Sequence, residues 1–144
     1  MIYLDTSVLV TLVVPEPESE AVEQWFAGHR YKGLTISDWS LVEFASALGV
    51  RVRLKGLKHG QAVMAQERMD ATVSACFKTV SPSRASYVRA AELCTHNSTG
   101  LRAGDALHLA VALDEGASRL VTLDRQIVAV VRSLKLPIEV IRPA

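Results

Sequence analysis

Apolar residues recur along the chain in two rhythms, short unbroken runs and stripes at helical spacing, and the two alternate. Ile2 to Leu4 is a short apolar run that reads as a strand. Val8 to Val14 is ambiguous between a buried strand and a first helical turn, and Pro15 and Pro17 fix where it stops. From Glu18 to Ala27 the apolar positions Ala21, Val22, Trp25 and Phe26 share one helical face, and Gly28 closes the segment. Gly33 precedes a strand from Leu34 to Ser37. An apolar helix follows from Leu41 to Leu54, broken at Gly56, and another from about Gly60 to Ala75. Phe77 to Val80 reads as a strand, and Ser81-Pro82-Ser83 as the entry to a helix reaching about His96. A loop from Asn97 to Gly104 leads to a helix from Asp105 to Glu115, whose Ala106, Leu109, Ala110 and Leu113 mark a buried stripe before Gly116. Arg119 to Leu123 and Ile138 to Ile141 read as strands on either side of a helix from Arg125 to Leu134. Strands alternating with helices predict an α/β fold with a central parallel sheet flanked by helices on both faces.

Composition narrows this picture. The 144 residues suit one domain spanning 1–144, with 49% hydrophobic and 22% charged residues, the balance of a folded globular chain. The longest apolar runs, Val8 to Val14 and Leu107 to Leu113, are too short to span a bilayer. The start MIYLD has no basic region ahead of an apolar stretch, which points to the cytoplasm. Cys76 and Cys94 match no zinc or CxxC spacing and read as free thiols. A net charge of +1 carries no global signature of nucleic-acid binding, so recognition of such a partner has to be local.

The candidate chemistry lies in four acids. In an open parallel α/β sheet, ligands bind at the edge shared by strand carboxyl ends and helix N-termini. Asp5 follows the strand IYL, Asp124 follows LVTL, Glu43 lies in the first turns after LTIS, and Asp105 opens a helix after Gly104. Each acid also has a plain reading. Asp105 and Asp124 are well placed as helix caps, Ser40-Leu41-Val42-Glu43 fits a capping box, and Asp5 has Thr6 and Ser7 beside it for a cap of its own. Taken together, however, carboxylates gathered at one sheet edge repel one another and raise each other's pKa unless a cation neutralises them. Mg²⁺ or Mn²⁺, which take oxygen ligands, would resolve that conflict and suit phosphodiester hydrolysis by an activated water.

The four segments LDTSVLV with Asp5, SLVEFASAL with Glu43, LRAGDALHLAVAL with Asp105 and LVTLD with Asp124 resemble, in that order, the motifs of a PIN domain. More narrowly they resemble those of VapC-type toxin ribonucleases, and the resemblance covers nearly the whole chain. It implies a PIN-like fold, endonucleolytic cleavage of RNA dependent on Mg²⁺ or Mn²⁺, a homodimer, and a neutralising VapB-type antitoxin. It further implies that Asp5 and Asp105 are the firmest metal ligands, that Glu43 and Asp124 complete the site directly or through water, and that Thr6 supports the first carboxylate. At Asp124 the chain reads DRQ, where family members often place an aromatic three positions beyond the aspartate, so the resemblance carries least at Asp124, read as an outer ligand or a helix cap.

Several further residues carry two readings. Arg51, Arg53, Lys55, Lys58, His59 and Arg68 form the densest basic region, able to guide RNA phosphates or simply to face solvent near a helix C-terminus. Arg102 lies three residues before Asp105. His108 shares a helical face with Asp105 and reads as a structural histidine among Leu107, Leu109 and Ala110. Thr122 and Ser37 are strand residues near the acids. Trp25, Phe26, Trp39 and Phe44 read mainly as core, with a groove for an antitoxin helix or a dimer partner as the alternative. Competing functions are a housekeeping PIN nuclease in RNA maturation or on DNA, and a non-catalytic α/β binding module whose acids are only caps. A receiver domain would need paired acids after the first strand, and a haloacid-dehalogenase-like phosphatase an aspartate where Ser7 stands.

Overall fold

In the computed structural model, which describes residues 1–96 and 100–144, strand β1 (Ile2–Leu4) runs into helix α1 (Thr6–Val13) with only Asp5 between them. The ambiguous segment after Asp5 is therefore helical. The Asp5 side chain accepts from the backbone N–H groups of Ser7 and Val8, which satisfies the helix start, and the chain leaves the helix before Pro15. Every residue of α1 except Ser7 is buried, which is why its apolar run has no single stripe.

The remaining elements are α2 (Ser19–His29), β2 (Leu34–Ser37), α3 (Asp38–Arg53), α4 (His59–Cys76), β3 (Phe77–Val80), α5 (Arg84–His96), α6 (Ala103–Asp114), β4 (Arg119–Val121), α7 (Arg125–Ser133) and β5 (Glu139–Ile141). Three boundaries differ from the sequence reading in ways that matter. Helix α2 continues through Gly28, and the ring Nδ1 of His29 reaches the Trp25 carbonyl oxygen at 2.7 Å to finish it. Helix α3 starts three residues earlier than expected, because Ser37 rather than Ser40 is its cap. Helix α6 takes in Ala103 and Gly104, so Asp105 lies inside its first turn and Arg102 holds the cap position. The loop expected from Asn97 to Gly104 falls partly on residues 97–99, outside the described residues.

The five strands form one parallel sheet in the order β3-β2-β1-β4-β5. The chain builds outward from β1 through β2 to β3, then crosses back to lay β4 and β5 on the other side of β1. Strand order thus reverses between β1 and β4, and the carboxyl ends of these two strands flank the crevice where such sheets bind ligands. The Asp5 N–H donates to the Val121 carbonyl at 3.1 Å and holds the two strand ends side by side.

Side chains of the short strands are sorted by the period-two alternation of the backbone. Tyr3 and Leu120 point into one layer with Leu109, Ile127 and Val130 of α6 and α7. Ile2, Leu4 and Val121 point into the other with Leu9, Phe44, Leu48 and Met69 of α1, α3 and α4. Both faces are covered, as near-continuous apolar strands require. Phe44 is fully buried, while Trp25, Phe26 and Trp39 pack against these two cores, which accounts for the aromatic cluster as core. Cys76 and Cys94 are free thiols. No helix among the described residues is long and apolar enough to cross a membrane.

This layering predicts unequal sensitivity to truncation. Leu109→Ala, at a fully buried position, is expected to cost about 2–5 kcal/mol, whereas Met64→Ala on the exposed side of α4 should stay within about 0.5 kcal/mol. Urea midpoints measured for both variants check the assignment of the core.

Candidate functional site

Asp5 is only 3% exposed, and each of its oxygens is used. Oδ1 accepts from the Ser7 N–H (3.0 Å), the Val8 N–H (3.4 Å) and the Ser7 hydroxyl. Oδ2 accepts from the Thr122 hydroxyl at the end of β4. The same two hydroxyls reach onward: the Leu123 N–H donates to Ser7 Oγ at 3.0 Å, and the Asp124 N–H to Thr122 Oγ1 at 2.9 Å. Helix capping and a strand-to-strand tie are thus made by one carboxylate. Burial pushes its pKa above the ordinary value, and the charge of His108 together with the Ser7, Thr122 and Val8 hydrogen bonds offsets only part of that.

Glu43 occupies the second turn of α3 and does not cap it. Ser37 and Ser40 form the capping box instead, the Ser40 N–H donating to Ser37 Oγ and the Ser37 N–H to Ser40 Oγ at 3.1 Å. That leaves the glutamate free for tertiary contacts. Its Oε1 accepts from the Thr6 hydroxyl at 2.7 Å and is hydrogen-bonded to Nε2 of His108. His108, 1% exposed, also places Nε2 3.0 Å from Thr6 Oγ1 and Nδ1 2.9 Å from the Tyr3 hydroxyl, which in turn donates to Ser37 Oγ at 3.0 Å. Burial raises the Glu43 carboxyl, but the His108 hydrogen bond and charge, with Thr6, outweigh it and hold the group below its usual value. Burial likewise pushes Tyr3 up to about 12, so it stays a neutral phenol.

Asp105 comes from the first turn of α6 and Asp124 from the start of α7, where it caps the helix by accepting from the Gln126 N–H at 2.7 Å. Asp5, Glu43, Asp105 and Asp124 all line one cavity of about 440 Å³, with Thr6, Ser7 and His108 in its wall. Burial pushes the Asp105 carboxyl up to about 6, and the nearby Asp124, Asp5 and Glu43 push in the same direction while His108 opposes them. Asp105 is therefore the acid on which the charges of the other three converge. Gly104 allows the last of the close approaches, since a Cβ at that position would lie 2.6 Å from Glu43 Oε2.

The PIN domain family model matches residues 2–132, the stretch that carries all four acids and every wall residue described above. The chain belongs to the PIN domain family. Similar solved structures agree on the fold of this PIN domain. The toxin VapC20 of Mycobacterium tuberculosis, described as cleaving the Sarcin-Ricin loop, is 18% identical, with 90% of this chain and 94% of that one covered and a TM-score of 0.73. FitAcB from Neisseria gonorrhoeae is 18% identical, covering 99% and 98%, with a TM-score of 0.74. VapBC2 from Rickettsia felis, bound to a DNA fragment from its promoter, is 18% identical with the same coverage and a TM-score of 0.71. A comparison with curated protein sequences finds no match.

Among the described residues no three His, Cys, Asp or Glu side chains close into a ready-made ligand set for an ion. The cavity of this PIN domain is nonetheless lined by carboxylates, the ligands of hard cations, and Asp105 is raised first by burial and then by the neighbouring acids, whose charge a cation would offset. The donor set fits Mg²⁺ or Mn²⁺ held by one or two carboxylates with water completing the sphere.

Two wall residues depart from the sequence reading. The Thr6 hydroxyl serves Glu43, and Ser7 and Thr122 serve Asp5, because a carboxylate at the cap position reaches the second and third helical N–H groups and not the first. His108 read as structural in isolation. The available signal was that a polar ring on an otherwise buried stripe needs partners for both nitrogens, and Glu43 and Tyr3 supply them. Arg102 is exposed and outside the cavity wall.

The coupling gives a stability prediction with a definite sign. Asp105 in the folded state binds its proton below about pH 6, above the ordinary carboxylate value, so the ionised side chain weakens the fold as pH rises. In chelator, Asp105→Asn is expected to stabilise the protein by about 1 kcal/mol at pH 8, after allowance for solvent screening and the lost helix-dipole interaction. That advantage should fade as pH falls from about 6 toward 4. Thermal melts across this range decide it, and an unchanged or lowered midpoint at pH 8 would show that the carboxylates do not strain one another.

Proposed function

We propose that this PIN domain, acting as a single unit over 1–144, is the toxin of a type II toxin-antitoxin pair: an endoribonuclease that hydrolyses RNA phosphodiester bonds with Mg²⁺ or Mn²⁺. The observation that carries the reading is the convergence of four carboxylates on one cavity at the strand-order reversal of a PIN fold. Support for the toxin role comes from the similar structures, which include a Sarcin-Ricin loop cleaving toxin and complexes bound to DNA fragments. A VapB-type antitoxin, a homodimer and a cytoplasmic site of action complete the reading.

Asp5 and Asp105 would hold the metal, with Glu43 and Asp124 completing the site directly or through water. When bound, the ion supplies a more acidic water and offsets charge on the phosphoryl oxygens. Asp5 enters with its geometry already set by Ser7 and Thr122, so little freedom is lost on binding. Glu43 is held in the cavity wall with Oε1 bonded to Thr6 and His108 and Oε2 beside Gly104, free of hydrogen bonds among the described residues. Its depressed pKa keeps it ionised and able to orient a water or take its proton. Asp124 is committed to the start of α7 through one oxygen and sits at the rim.

Purified protein should cleave RNA in Mg²⁺ or Mn²⁺, stop in chelator, and lose at least about 100-fold in rate as Asp5→Asn while keeping its circular dichroism spectrum. Undiminished cleavage by the variant or in chelator would sink the reading. Activity should also decline below about pH 6 as Asp105 takes up a proton, and added metal should move that midpoint downward by competition. Gly104→Ala probes the same geometry: its methyl would lie 2.6 Å from Glu43 Oε2 and 3.3 Å from the Trp39 ring, so both cleavage and the melting temperature should fall despite the better helix propensity of alanine.

A further inference from the structure

The cavity wall carries six carboxylates, the four above together with Glu16 and Glu18, and one guanidinium, Arg51. A phosphodiester entering such a pocket meets repulsion from most directions. Of the six basic residues in the dense region after Glu43, only Arg51 lines the cavity; Arg53, Lys55, Lys58, His59 and Arg68 do not. Arg51 lies two turns beyond Glu43 on α3, so both side chains project from the same helix face.

The Arg51 guanidinium is held along one edge. Its Nε and Nη2 donate to Glu16 Oε1 at 3.3 and 2.9 Å, and its Nη1 donates to the Ala47 carbonyl at 3.3 Å. Glu16 is itself fixed. The Glu16 N–H donates to Ser19 Oγ at 2.9 Å, and the Ser19 hydroxyl donates to the Thr11 carbonyl at 2.8 Å, pinning the α1–α2 connection. Three of the five guanidinium N–H donors are thereby used, and one remains on each terminal nitrogen. With the Arg51 side chain about one-third exposed, those donors are accessible from the cavity side.

Resting on the ribonuclease reading, we propose that Arg51 is the residue that binds a phosphate of the RNA backbone beside the carboxylate site, and that Glu16 is its positioning residue. A planar guanidinium with free donors on both terminal nitrogens matches two oxygens of one phosphate, and fixing its other edge in advance reduces the freedom lost on binding. The contact reads phosphate and carries no base specificity.

The test measures binding separately from cleavage. A fluorescent single-stranded RNA oligonucleotide is titrated with Asp5→Asn protein in Mg²⁺, with and without Arg51→Gln, from about 50 to about 200 mM salt. Arg51→Gln should weaken binding about tenfold and reduce the slope of log affinity against log salt by about 0.7, the share of one phosphate contact on a single strand. Arg53→Gln, on the same helix but outside the cavity, should change neither by a comparable amount. Arg51→Lys, which keeps the charge and loses the planar fork, should retain the slope while losing affinity, and it serves where Arg51→Gln lowers the melting temperature. In wild-type background the Arg51→Gln loss should fall on KM more than on kcat. Equal affinity and slope in Arg51→Gln, or equal losses in Arg53→Gln, would overturn the proposal. Failure of the wild-type chain to cleave any RNA would instead overturn the ribonuclease reading, and the binding data would still judge Arg51.

Discussion

A carboxylate buried at the carboxyl end of the central strand is the constraint around which this PIN domain is arranged. An ionised group taken out of water costs several kcal/mol unless hydrogen bonds and opposite charge replace its solvation. Asp5 meets that requirement by capping α1 and by drawing Thr122 and Ser7 into place. The exits of β1 and β4 are thereby locked in register, and Asp124 is carried to the cavity as a consequence. The compensation is incomplete, since the carboxyl remains raised, and the remaining imbalance is what a bound cation is suited to absorb.

The second half of the site hangs on a buried polar chain through an otherwise apolar layer. Glu43, His108, Tyr3, Ser37 and Ser40 are hydrogen-bonded in succession, joining α3, α6, β1 and β2. Such a network is stabilising only when each member is satisfied. Here it also commits Glu43 Oε1 and leaves Oε2 against Gly104. Gly104 belongs to the same arrangement, because the absence of a Cβ lets α6 close against that oxygen. The geometry of the acidic site is therefore a property of the layer beneath the cavity as much as of the acids that line it.

Electrostatically the cavity wall is dominated by its six carboxylates. The single guanidinium in the wall is oriented by one of those acids.

Legible in the sequence alone were the alternation of strands and helices, the covered parallel sheet, the placing of Asp5, Glu43 and Asp124 after strands, and that of Asp105 at the start of a helix. Those features are set by hydrophobic period and by caps that reach two or three residues along the chain, as with Asp5 to Val8 and Asp124 to Gln126. Errors of the sequence reading were local competitions between equivalent signals: Ser37 against Ser40 as the cap of α3, and Gly28 against the His29–Trp25 contact as the end of α2. Only the tertiary structure decided which side chains meet. Thr6 finds Glu43 across 37 residues, Thr122 finds Asp5 across 117, and Arg51 is singled out from five neighbouring basic residues. Hydrophobic period specifies which face of an element is buried but leaves open which polar group it will face, and that choice follows from sheet order and helix packing alone.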